Sequence, residues 1–149
     1  MTNQKELIYE VKMQEDGTYL AVANYKGSYK NKPISATIPI DARTYKELKQ
    51  RVKDITLDFL SDGFGEKIGL YNPKIRLHLQ EKLIDYGNKE SILIAGNPEG
   101  AGYRAISNSK LNLDIYNEDL EILRGELLKR VKESASDRNV EFRLEEVLD

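Results

Sequence analysis

No cysteine occurs among the 149 residues, which excludes a disulfide framework, a thiolate metal site and a cysteine nucleophile. A reducing, cytoplasmic setting is the expectation. Histidine is nearly as scarce, with His78 alone, so a His-pair metal site or any triad needing a second histidine is excluded. The longest apolar runs are only about five residues, against the ~20 that span a bilayer. The opening segment from Met1 to Glu6 lacks the apolar core of a signal peptide. Neither export nor membrane insertion is expected. A large excess of one charge is also missing: 25 acidic residues face 23 basic ones, a net charge of −2. No global field therefore drives the protein onto nucleic acid or membrane, and any charged contact must be local.

What is present suffices for one domain or two small ones, and a chain of this size buries roughly two-thirds of its unfolded surface. Leu7, Tyr9, Val11 and Met13 alternate with polar residues up to an Asp16-Gly17 turn, which predicts a hairpin. Tyr19, Ala21 and Ala23 continue beyond it. After a predicted loop from Tyr25 to Pro33, Ile34, Ala36, Ile38 and Ile40 alternate again, with Pro39 suiting an edge strand because it cannot donate to a ladder. The period then changes. Tyr45, Leu48, Val52, Ile55 and Phe59 recur at three- and four-residue steps, Thr44 and Glu47 are spaced as a capping box, and a helix ending near Asp62-Gly63 follows. Asn72 and Pro73 would cap a helix over Lys74 to Gln80, but the alternation of Ile75, Leu77 and Leu79 favours a strand.

A second stretch repeats the plan. Strands are predicted over Ser91–Ala95, Tyr103–Asn108 and Leu111–Ile115, with a turn from Asn97 to Gly102 between the first two. A helix over Glu118–Ser136 buries Leu120, Leu123, Leu127 and Val131, and a strand over Asn139–Val147 closes the unit. Short matches link the halves in the same order: Gly17–Asn24 with Ala101–Asn108, Glu47–Asp54 with Glu126–Glu133, and Ile75–Leu83 with Val140–Leu148. The resulting expectation is an α+β protein of two tandem β-β-β-α-β units, residues 1–86 and 87–149. Each would be an antiparallel sheet with a helix packed on one face.

The stretch from about residue 8 to 61 resembles the HicB family in its hairpin closed by Asp16-Gly17, its third strand and its helix opening with Thr44, Glu47 and Leu48. The resemblance implies an antitoxin that neutralises a small RNase through its sheet domain and binds operator DNA through an appended helix-turn-helix or ribbon-helix-helix segment. Two departures stand out. The family's Pro-Gly-Cys turn is replaced here by Tyr25 to Pro33, and no DNA-binding segment follows the fold, so operator binding is not carried over.

Candidate chemistry is sparse, and no catalytic, metal or cofactor site is expected. In an alternating strand His78 faces away from Leu77 and Leu79, as a solvent-facing spacer does more often than a general base. No Gly-x-Ser-x-Gly elbow occurs. Gly63, Gly65 and Gly69 follow a helix rather than a strand, which suits a helix end better than a phosphate loop. Asp54, Asp58 and Asp62 share a helical face and read as a solvated stripe before a cation site.

Two features point to recognition. The segment from Tyr25 to Pro33 interleaves Tyr25 and Tyr29 with Lys26, Lys30 and Lys32, and it carries an insertion relative to the second half of the chain. Arg43, Lys46 and Lys49, with Arg51 and Lys53, occupy the first half of the first helix and Asp54, Asp58 and Asp62 the second, an order that opposes the helix dipole. The reading is a non-enzymatic binding or inhibitory protein, antitoxin-like, with a protein partner contacted through Tyr25, Lys26, Tyr29, Lys30, Lys32, Arg43, Lys46 and Lys49. Nucleic acid through the basic loop and a homo-oligomer stay open as partners, and a membrane does not. An inhibitor of a host defence enzyme carried by a phage or mobile element is the alternative, and a hydrolase with an unrecognised site the third.

Overall fold

In a computed structural model, described over residues 6–61, 73–87, 90–107, 111–134 and 138–148, the alternating stretches are strands and the three-and-four stretches are helices. The side chains at 27–29 lie outside the described set. The elements are β1 (Glu6–Met13), β2 (Tyr19–Tyr29), β3 (Lys32–Ala42), α1 (Tyr45–Ser61), β4 (Lys74–Ile84), β5 (Ser91–Glu99), β6 (Gly102–Ser107), β7 (Asp114–Asn117), α2 (Leu120–Ser134) and β8 (Asn139–Leu148). The chain divides into two compact units, Met1–Leu77 with Val147–Asp149, and His78–Glu146. Among the described residues no helix is long and apolar enough to cross a membrane.

In the first unit the strand order is β3-β2-β1-β4, so β3 is an edge. The β1–β2 hairpin closes through Gln14 to Thr18, where the Gly17 N–H donates to the Gln14 carbonyl at 3.0 Å and Gly17 sits at φ 86°. This is a turn followed by a left-handed glycine, the bulged hairpin class, rather than a two-residue Asp-Gly turn. Asp16 Oδ1 accepts from the Thr18 hydroxyl at 2.6 Å and from its backbone N–H at 3.0 Å, and these bonds hold the Asp16 carboxyl below the usual range.

The nine-residue stretch expected as a loop is strand. β2 and β3 are each 11 residues and pair antiparallel from Tyr19↔Ala42 to Tyr29↔Lys32, leaving only Lys30 and Asn31 as the turn. Both lie at positive φ, 51° and 65°. Their backbone twist matches the right-handed twist of the strands, as in a type I′ hairpin. The insertion therefore lengthens a ribbon.

Helix α1 begins as its sequence dictates: the Glu47 N–H donates to Thr44 Oγ1 at 3.1 Å, and Glu47 Oε2 accepts from the Arg43 N–H at 3.4 Å. Its buried stripe is Tyr45, Leu48, Val52 and Thr56. Ile55 and Phe59, expected in that stripe, are only half-buried, because the helix is rotated to direct Thr56 onto the sheet, where it meets Tyr9. Opposite α1 lie Tyr9, Val11, Tyr19, Ala21, Ile38 and Ile40, all buried. Complete burial of one such aliphatic side chain contributes about 1.5–3 kcal/mol.

In the second unit the order is β4-β8-β5-β6-β7. β5 runs through Asn97-Pro98-Glu99, a stretch expected as turn, and only Gly100 (φ 59°) and Ala101 separate it from β6. β5 and β8 pair parallel, from Ser91↔Asn139 to Gly96↔Leu144, so this sheet is mixed and not antiparallel as expected. The cause is the helix between β7 and β8: a helical crossover lets the last strand return in the direction of the first. Leu120, Leu123, Leu127 and Val131 are buried on α2 as the periodicity implies. Asp119 caps that helix, its Oδ1 accepting from the Ile122 N–H at 3.1 Å. Lys74–Gln80 is strand, within β4.

Candidate recognition surface

The ribbon has two chemically different faces. Tyr19, Ala21 and Ala23 are buried on one face of β2, and Tyr25, half-buried, follows in the same alternation. The register sets Tyr25 opposite Ala36 and Gly27 opposite Ile34. Ala36 and Ile34 are half-buried and Lys32, next in that row, is exposed. The other face carries Asn24, Lys26, Ser35 and Thr37, and Thr37 Oγ1 donates to Asn24 Oδ1 at 2.9 Å. Lys26, Lys30 and Lys32 are all exposed. Tyr29 pairs through its backbone with Lys32, and its side chain lies outside the described set.

Arg43, Lys46 and Lys49 do not join this group. They follow the far end of β3, an 11-residue strand that spans roughly 35 Å. The eight candidate residues thus form two clusters. Arg43 and Lys46 are exposed, whereas the Lys49 ammonium lies 5.6 Å from the centre of the Tyr45 ring, a cation–π distance. Arg51 Nη1 donates to the Asp41 carbonyl at 2.7 Å and lies 3.6 Å from Asp41 Oδ1. The bases placed against the helix dipole thus have intramolecular uses at Lys49 and Arg51.

Two further polar groups are not foreshadowed by the sequence reading. Glu81 and Arg124 form a forked pair, with Nε at 2.8 Å from Oε2 and Nη2 at 2.6 Å from Oε1. Each satisfies the other, and the arrangement locks α2 to β4. On β8, Glu141 accepts from Gln80 and, at 3.1 Å, from Arg143 Nε. Partial burial raises its carboxyl, but the bonds from Arg143 and Gln80 and the charges of Arg143 and Lys82 outweigh that and hold it below the usual range. His78 Nε2 lies 3.9 Å from Glu145 Oε1, an ion pair only while the ring is protonated. An acid and an arginine on two amphipathic elements are the only signal that could have flagged Glu81 and Arg124, and it is a weak one.

Among the described residues no group of three or more His, Cys, Asp or Glu side chains is placed to hold a metal ion. Asp54 accepts from Gln50 at 3.1 Å, while Asp62, Gly63, Gly65 and Gly69 lie outside the described residues. No family model, curated protein or solved structure matches the chain.

Proposed function

We propose that the protein is a non-enzymatic binding protein, inhibitory in the manner of an antitoxin, which acts by protein–protein interaction through the β2–β3 ribbon. The observation that carries this reading is the asymmetry between corresponding hairpins. β2 and β3 are 11 residues each, whereas β6 and β7 are 6 and 4. A sheet needs no such extension to bury its core, and extensions between paired strands are a usual location for binding residues. The equivalent local strand orders, β3-β2-β1-β4 and β7-β6-β5-β8, support a tandem duplication in which the first copy has gained this device. The HicB-like hairpin, third strand and capped helix belong to the same reading.

The test is photo-crosslinking from Ser35 and, separately, from Ile34, positions on the two opposite faces of the ribbon, in the full chain expressed in its own cells. A single protein adduct in near-stoichiometric yield is expected. Adducts confined to nucleic acid, or none, would overturn the proposal.

A further inference from the structure

Resting on that reading, we infer that the surface met by the ribbon is a protein face with an apolar centre bordered by carboxylates. From Gly17 to Ile40 there is no acidic residue, and the charges in that span are Lys26, Lys30 and Lys32. A chain of net charge −2 thus carries a locally cationic ribbon, and field complementarity selects an anionic counterpart.

The geometry determines how the counterpart approaches. β3 is an edge, and edges invite strand addition, but Pro33 and Pro39 pair with Ser28 and Val22 across the ladder. A proline cannot exchange both bonds of a hydrogen-bonded pair, so these positions direct their missing donors toward the free edge. Ser35 and Thr37, of the same parity, supply the donors between them. A docking strand would find its ladder interrupted on both sides, which is the usual protection against edge pairing. The counterpart therefore lies on a face of the ribbon.

That face offers Tyr25, Ala36 and Ile34, each half-buried, with exposed Lys32 at its end. An apolar strip with a charged rim is the anatomy of a protein interface. It suits phosphate poorly: nucleic-acid affinity grows with the number of phosphates neutralised, and three lysines around an apolar strip neutralise few.

The experiment titrates the full chain with four fluorescent probes: a peptide alternating Glu with Leu and Ile, the same peptide with Lys for Glu, a Glu-only peptide, and a DNA duplex. The Glu/Leu/Ile peptide should bind at least about tenfold more tightly than any other and weaken as salt rises from about 50 to 500 mM. The K26E/K30E/K32E variant should lose that preference with an unchanged melting temperature. Ile34→Ser, which leaves the charges in place, should weaken the Glu/Leu/Ile peptide and not the Glu-only one. Tighter binding of the duplex or of the Lys peptide, or equal binding by the triple variant, would overturn the inference. A crosslinked protein partner whose contact face is basic would overturn it while leaving the proposed function standing. Absence of any ribbon crosslink would remove the proposed function itself.

Discussion

Tyr9 on β1 and Thr56 on α1 share a hydrogen bond of 2.7 Å across the packed face of the first unit, 47 residues apart in the chain. Both are almost wholly buried. The bond lets a phenol and a hydroxyl sit in a core that otherwise consists of aliphatic and aromatic groups. Removing one partner strands the other, so Thr56→Val should destabilise by about 1–3 kcal/mol, whereas Tyr9→Phe with Thr56→Val should cost less than the sum of the singles. Urea unfolding of the four proteins checks this cycle.

The same pair gives an alkaline signature. Burial raises the Tyr9 phenol above its ordinary value, opposed in part by the Thr56 bond. The folded state then holds its proton after the unfolded state has lost it, so this group's contribution is full below about pH 10 and declines as pH rises through the folded value. Tyr9→Phe should flatten the decline in stability that begins at about pH 10, measured by urea midpoints at each pH. An unchanged slope would mean that the phenol titrates as in the unfolded chain.

The glycines distinguish two kinds of tightness. A Cβ at Gly96 would lie 2.7 Å from the Phe142 ring, and one at Gly102 would lie 2.5 Å from the Asn117 carbonyl oxygen. Gly96→Ala should cost about 1–3 kcal/mol and be partly rescued by Phe142→Leu, because a side chain can yield. Gly102→Ala should find no such rescue, because its nearest neighbours are backbone. Gly125 in α2 has open space around it, so Gly125→Ala should stabilise by up to about 1 kcal/mol through helix propensity. Thermal denaturation of the set orders them.

Much of this fold was legible because period and burial coincide. Leu48 and Val52, Leu123 and Leu127, and the alternation in β1 and β4 follow from the spacing of apolar residues alone. Thr56 was not legible, since a polar residue on a helix is ordinarily assigned to solvent and its partner is remote in sequence. Tyr25 to Pro33 reads as a loop because lysines, a glycine and a proline dominate it, yet a two-stranded ribbon needs no buried face at its end. Lys30 and Asn31 lack the Asn-Gly or Asp-Gly pattern that marks such turns. The identities of the candidate residues were readable, but their grouping was not: whether Lys32 and Arg43 neighbour one another depends on the length of β3, which a loop up to Pro33 shortens.

Glu81 and Arg124 provide a test of how firmly α2 is held. Their side chains are 14% and 28% exposed, so the pair is shielded enough to matter and wet enough that its loss is moderate. Glu81→Gln should cost about 1–2 kcal/mol, discounted from the value for a fully buried pair, and Glu81→Leu with Arg124→Leu should cost less than Glu81→Gln alone. Denaturant midpoints of the three proteins decide it.

The ribbon turn permits a separation of stability from recognition. Lys30 and Asn31 occupy positive φ, a region that costs a side-chain-bearing residue roughly 1 kcal/mol, less for asparagine. Asn31→Gly relieves the turn, whereas Asn31→Val, β-branched at positive φ, strains it and leaves Lys30 in place. Because the turn is exposed and remote from Tyr9, Leu48 and Val52, neither variant should move the global melting temperature by more than about a degree or two. Hydrogen exchange at the amides of Gly27 to Lys32 and of Ile34 should slow in the glycine variant and quicken in the valine variant. If the ribbon is the recognition element, partner affinity should follow that local exchange in both directions, since a preorganised hairpin loses less entropy on docking. Affinity that ignored the exchange rates while the melting temperature stayed constant would assign binding to another surface.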